Sequence, residues 1–226
     1  MNVRLEFKNT SYLDVQNVSV ILLIQGSEQI KPMQKSEDGW YTQLLLEPGD
    51  SMYKFLINNE IRLNDPSANV YMPDDSEELW SVIVIDDLGF RLYNNEQYEV
   101  NVEDYSVTNI VTEIPDVVNR KSFNLTMDKS VVTRFEFNHI TGIHAITAVW
   151  FNPRGEVHES TENLLYADEK DPESSVFMWF WMQLNEADRE YPEGIWTMKL
   201  FVDGSYVLED QYTIVKRFAY TSAGRF

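Results

Sequence analysis

Three histidines, His139, His144 and His158, are the residues of this chain best suited to acid–base or metal chemistry. They lie on or beside β-rich runs without metal-ligand spacing. No His-Glu-x-x-His, Gly-x-Ser-x-Gly or phosphate-cradling glycine loop accompanies them. If Trp150–Phe151 and Glu156–Val157 form the inner pairs of a hairpin, His158 falls opposite Val149 as an ordinary strand residue. Cysteine is absent, which removes thiol nucleophiles, disulfides and Cys-based zinc sites. Carboxylates abound, but glycoside hydrolysis needs two of them about 5–10 Å apart in a cleft, one with a raised pKa, and abundance supplies neither condition. The clusters Asp74-Asp75-Ser76-Glu77-Glu78 and Asp168-Glu169-Lys170-Asp171-Pro172-Glu173 hold oxygen ligands of the kind Ca²⁺ takes. Neither follows the EF-hand pattern, so solvated loops are the expectation. The chain is therefore expected to be no enzyme, to hold no metal and to use no cofactor.

The elements that must carry any site are strands. Val18–Ile24, Trp40–Leu46, Met52–Ile57 and Ser81–Ile85 are short β-rich runs, separated by Asp38-Gly39, Glu47-Pro48-Gly49-Asp50 and Asn58-Asn59 turns. The second half repeats the pattern in Val131–Phe137, His144–Phe151, Glu156–Leu165, Val176–Leu184, Ile195–Val202 and Tyr206–Val215. Asn152-Pro153-Arg154-Gly155 and Asp203-Gly204 read as hairpin turns, the latter suited to the positive φ angles of a type I′ turn. Period-two alternation puts Trp196, Met198 and Leu200 on one face of that hairpin and Thr197, Lys199 and Phe201 on the other. Short helical pieces are expected only near Glu96–Tyr105 and Leu184–Glu190. Strands this short and frequent predict an all-β protein of two immunoglobulin-like antiparallel β-sandwich domains in tandem, residues 1–90 and 91–226, with the boundary between Asp86 and about Asn101.

In the first half, the order Asp38-Gly39-Trp40, Glu47-Pro48-Gly49, Tyr53-Lys54-Phe55, Asn58-Asn59, Asn64-Asp65-Pro66 and a final Val-Ile-rich strand resembles the family 48 carbohydrate-binding modules. These include the glycogen-binding domain of the AMP-activated protein kinase β subunit. The likeness covers roughly Asn17–Ile85. It implies a sandwich that binds α-1,4-glucans by stacking aromatic rings on sugar faces while a lysine and amides reach the hydroxyls. Lys54 stands at the family lysine, and alternation turns it away from Tyr53 and Phe55. Asn58 and Asn59 precede the second platform position, which falls on Ile61 rather than a tryptophan. The loop that carries the other platform tryptophan has no aromatic here. Trp40 matches a ring that packs the sandwich, and Trp80 is the candidate to replace a lost platform.

The run Val176-Phe177-Met178-Trp179-Phe180-Trp181-Met182 carries a different signal. Alternation sends Phe177, Trp179 and Trp181 to one face and Met178, Phe180 and Met182 to the other. Both faces are thus expected to be covered, one by the second sheet and the other by the first domain, another subunit or a ligand.

Composition bounds the partners. The 226 residues carry 18 Lys+Arg against 37 Asp+Glu, a net charge of −19, with no basic cluster able to hold nucleic acid or an anionic membrane. Six Trp, 12 Tyr and 12 Phe are ample for packed cores. No signal peptide or membrane-length apolar run occurs, so a soluble, cytoplasmic protein is expected. Two functions follow as expectations. The first is a non-catalytic α-glucan-binding accessory protein. The second is an interaction or scaffold protein that keeps the sandwich, has lost glycan binding, and offers the aromatic run to a protein partner or to a second copy. Residues 216–226, with three basic residues, are expected to be a frayed end, with docking on a neighbour's acidic surface as the alternative.

Overall fold

The computed structural model describes residues 1–226 apart from 69, 95–97, 112–118, 169–170, 172 and 217–226. The described residues form eighteen strands and no helix. The first ten are β1 (Asn2–Lys8), β2 (Val18–Ile24), β3 (Ser27–Pro32), β4 (Gln34–Lys35), β5 (Gly39–Leu45), β6 (Gly49–Ile57), β7 (Ile61–Leu63), β8 (Val70–Pro73), β9 (Leu79–Ile85) and β10 (Arg91–Leu92). The rest are β11 (Glu99–Thr108), β12 (Ser122–Asn124), β13 (Ser130–Thr141), β14 (Ile143–Phe151), β15 (Val157–Tyr166), β16 (Val176–Gln183), β17 (Gly194–Val202) and β18 (Ser205–Val215).

They build two antiparallel sandwiches in tandem. In the first, the sheet β1-β5-β4 faces the sheet β10-β9-β6-β2-β3, to which β7 and β8 add at the sides. Val3, Leu5, Trp40 and Leu44 meet Val18, Val20, Tyr53, Phe55 and Ile83 between them. In the second, β11-β13-β16 faces β12-β18-β17-β14-β15, and Phe135, Phe180 and Met182 pack on Ile146, Trp150, Trp196 and Met198. The one parallel pair among these is β12 with β18. The passage from one sandwich to the other lies between Leu92 and Glu99.

Turn chemistry fixes the hairpins. Asn58 and Asn59 take φ of 54° and 61°, and Asp203 and Gly204 take 50° and 82°, so both tight turns use the left-handed conformations that Asn, Asp and Gly tolerate. The β17–β18 hairpin has the faces expected of it: Trp196, Met198 and Leu200 enter the core, and Phe201 enters a separate cluster on the other side. Of the helical piece expected near Glu96–Tyr105, residues 96 and 97 lie outside the described residues and Glu99–Tyr105 belongs to β11, whose Val100 and Val102 pack inward at period two. Leu184–Glu190 is not helical either: Leu184 N–H bonds Lys129 O, so this stretch carries the sheet pairing one residue further.

The larger sheet of the first sandwich is covered on both faces. Its outer side lies on the five-stranded sheet of the second sandwich, where Ile57, Ile61 and Leu63 pack with Val149 and Phe201, and Tyr71 and Leu79 with Ala145. The approach is close at the β17–β18 turn, where a Cβ added to Gly204 would lie 1.9 Å from Asn64 O.

Candidate functional site

Of the residues expected to form a glycan platform, Lys54 and Ile61 lie inside this junction. Lys54 does turn away from Tyr53 and Phe55, but onto the second sandwich, and it is 0% exposed. Its Nζ donates to Glu78 Oε1 at 2.8 Å and to both Glu162 oxygens at 2.8 and 2.9 Å. Trp80 is also 0% exposed, with the Lys54 and Arg62 cations 5.5 and 5.4 Å from its ring centroid. Its Nε1 donates to Asp74 Oδ2. Ile61 is buried in the junction cluster. Asn59 is an exposed turn residue, whereas Asn58 uses its side chain structurally: Oδ1 accepts from Gln16 and Asn17 N–H, and Nδ2 donates to Asp14 O. The expectation of an open face built on Lys54, Trp80 and Ile61 is therefore corrected, since all three are buried, Lys54 and Ile61 against the second sandwich and Trp80 among Ile21, Leu56 and Met52. Asn58 is committed to the loop before β2 and Asn59 stays exposed.

The sequence marked Glu78 only as part of the acidic loop Asp74–Glu78 and did not mark Glu162 at all. Both line a groove of about 750 Å³ between the sandwiches, with Asn163, Tyr166 and Met178 among its other walls. Sharing one ammonium, their nearest oxygens are at most about 5.6 Å apart, near the spacing of a retaining glycosidase pair. Burial pushes the Glu162 carboxyl above its usual range, against the pull of Lys54. The ammonium, however, fills the space between the two carboxylates that a glycosidic oxygen would need. The arrangement is an ion-pair lock, which Arg62 extends by reaching Glu78 Oε1 at 3.1 Å and Glu28 Oε1 at 2.7 Å. Asp74 holds the neighbouring loop. Burial opposes its charge, but hydrogen bonds from Ser76, the Glu78 N–H and Trp80 outweigh that and keep its carboxyl low.

The histidines do not converge. His144 is buried, with Nδ1 2.7 Å from Asp203 Oδ2 and Nε2 facing the Thr141 and Glu99 carbonyls. His139 is exposed. His158 does not oppose Val149, because a bulge at Trp150/Phe151 shifts the register and Val149 faces Ser160. Instead it lies against Trp196 and Tyr191, with ring centroids at 4.9 and 5.1 Å. Burial, reinforced by the Arg189 cation, holds its pKa below the ordinary value. Among the described residues, no group of three His, Asp or Glu is placed to hold a metal.

The aromatic run has one face in the core and one open. It forms β16, an edge strand paired only with β13, in unbroken register from Phe137↔Val176 to Ser130↔Gln183. Phe180 and Met182 face the core as the alternation requires. The opposite face is not covered by the first sandwich: Phe177 is 40% and Trp181 49% exposed. Beneath them Arg134 is 4% exposed, its guanidinium 4.3 Å from the Phe177 ring centroid and its Nε without a hydrogen-bond partner. Trp179 opposes Arg134 across the pair and stands 6.5 Å from Phe177, centroid to centroid.

No family model matches this chain, and no curated protein matches it. Among solved structures, the alkylpurine DNA glycosylase AlkC of Pseudomonas fluorescens is similar over 53% of this chain and 31% of its own, at 12% identity and a TM-score of 0.37. A β-glucosidase from Listeria innocua is similar over 56% of this chain and 17% of its own, at 12% identity and a TM-score of 0.34. Latent PorU of Porphyromonas gingivalis covers 96% of this chain and 20% of its own, at 10% identity and a TM-score of 0.32. This chain thus spans a third or less of each of these proteins, and likenesses so slight bear on neither activity nor ligand.

Proposed function

We propose that this protein is a non-catalytic interaction module that docks a protein partner on the outer face of β16. The observation that carries this reading is the exposure of Phe177 and Trp181 on an uncharged edge strand. Large rings around an arginine are the residue types enriched at the centres of protein interfaces, and a contiguous exposed apolar patch marks a docking surface. The net charge of −19 supports the same reading, since it keeps the rest of the surface soluble and selects against acidic partners.

The α-glucan reading rests on positions that are now covered, so a glucan would need some other face. Titration calorimetry with maltoheptaose at millimolar concentration tests it, and the interaction reading expects no heat. The interaction reading is tested by light scattering and affinity capture with the full chain, comparing Phe177→Ser/Trp181→Ser with the unaltered protein. Complexes that form with the unaltered chain and are lost in the double variant support it. A chain that is strictly monomeric and retains no partner overturns it.

A further inference from the structure

A sheet edge presents unpaired N–H and C=O groups, and folded chains blunt such edges with charge, proline, bulges or brevity. Each of the other edges among the described strands is guarded in one of these ways. β1 carries Arg4, Glu6 and Lys8, and β3 carries Glu28, Lys31 and Pro32. β11 carries Glu99, Glu103 and Asp104 with two register shifts, and β15 carries Glu159 and Glu162 with a bulge. β4, β7, β8, β10 and β12 run two to four residues. β16 alone is long and without guard: eight residues, none charged, no proline, in unbroken register with its neighbour.

Resting on the interaction reading above, we propose that β16 receives residues 216–226 of a second copy as an added strand, so that copies join head to tail. The segment Lys216-Arg217-Phe218-Ala219-Tyr220-Thr221-Ser222-Ala223-Gly224-Arg225-Phe226 carries three basic residues, no acidic residue and no proline. Phe218 and Tyr220 fall on one side at period two. At about 3.3 Å per residue it is long enough to pair with the whole of β16. Of the stretches outside the described structure, 112–118 contains Glu113, Pro115 and Asp116, and the others run three residues or fewer.

Charge selects this occupant. Asp171 and Glu173 precede β16, and Glu186, Asp188 and Glu190 follow it with Arg189 among them, so both ends of the strand are net acidic. A segment with basic residues near both of its ends is attracted at both ends of β16. A symmetric pairing of two β16 strands would instead bring the acidic approach of one against the acidic exit of the other. The segment comes from a second copy because of where it departs. Lys216 is tied by its N–H to Glu193 Oε1 and by its C=O to Thr126 Oγ1, beside the β12–β18 pair. β16 lies instead beside β15, at the opposite edge of the five-stranded sheet. A segment anchored beside one edge of that sheet, with the receiving strand beside the other, points to a neighbour's segment rather than the chain's own. Such a contact is heterologous, giving rings or open chains.

The test uses the full chain and a fluorescein-labelled synthetic peptide of residues 214–226. Sedimentation velocity is expected to show concentration-dependent oligomers for the unaltered chain and monomers for Arg217→Glu/Arg225→Glu, with far-UV circular dichroism unchanged. That variant, its own segment disabled, is expected to bind the peptide saturably. Adding Trp181→Lys, at an exposed position, should weaken peptide binding at least tenfold while far-UV circular dichroism stays unchanged. Oligomers that persist in Arg217→Glu/Arg225→Glu, or a peptide that does not bind it, overturn the proposal. In either case, loss of a different partner on Phe177→Ser/Trp181→Ser would leave the interaction reading standing.

Discussion

Lys54 is a fully buried ammonium whose charge is met by two carboxylates from different sandwiches. Removing one member of such a group leaves the others uncompensated, at about 3–5 kcal/mol, whereas removing a matched pair costs far less. Lys54→Met should therefore lower the unfolding free energy by about 3 kcal/mol in urea denaturation, and Lys54→Met/Glu162→Gln should recover much of it. The loss should also depend on pH. Without Lys54, burial and the Glu78 charge push Glu162 up against only a backbone hydrogen bond from Leu79, so the folded state holds its proton above the ordinary 4.5. The folded state then binds more protons than the unfolded one, and stability falls as pH rises through that window. The defect of Lys54→Met should be smaller at pH 5 than at pH 8; an equal defect at both would show that Glu162 does not sense the lysine. Alternation in Tyr53-Lys54-Phe55 revealed which way Lys54 points. It could not reveal what it meets, because Glu162 is 108 residues away and no local pattern links them. The available signal lay in β6 and β9, which are apolar on both faces and so needed two covers.

At the scale of elements, the β6–β7 turn separates two asparagines that look equivalent in the sequence. Both have positive φ, but only Asn58 also ties the loop before β2, through three hydrogen bonds to the backbone of Asp14, Gln16 and Asn17. Asn58→Gly keeps the turn and loses those bonds, which predicts a loss of about 1–2 kcal/mol. Asn59→Gly should be neutral or stabilising by a few tenths of a kcal/mol, since Asn-Gly is the favoured type I′ pair. Thermal unfolding of the two variants checks the contrast, and equal losses would count against it. The turn and its handedness were legible in the Asn-Asn pair itself, while the difference in role was not, because it depends on a loop some forty residues earlier. β16 repeats the lesson. Period two sorted its residues correctly into an inner row with Phe180 and Met182 and an outer row with Phe177 and Trp181. Of the three covers expected for the outer row, the first sandwich is not one, because ring size measures how much surface a strand offers and not which neighbour takes it.

Over the whole molecule, the two sandwiches meet through apolar clusters, the Lys54 lock and the backbone approach of Gly204 to Asn64. Gly204→Ala meets a positive φ and a carbonyl 1.9 Å from the new Cβ, so the β17–β18 turn would be forced off the first sandwich. A loss of more than about 2 kcal/mol is expected. Gly155→Ala, with a similar φ but open space around its Cβ, should cost only the backbone contribution of about 1 kcal/mol. Urea titration of both variants separates contact from conformation. The junction also decides how the chain can be divided. A fragment ending at Leu92 would bare Ile57, Ile61 and Leu79 along with the Lys54 ammonium, and its complement would bare Val149, Phe201 and the Glu162 carboxylate. Neither piece is equipped to stand in water alone. Although the topology draws two modules, cooperativity makes them one: heat should melt both sandwiches in a single calorimetric peak, and a protease cut in the passage between them should not set the halves free.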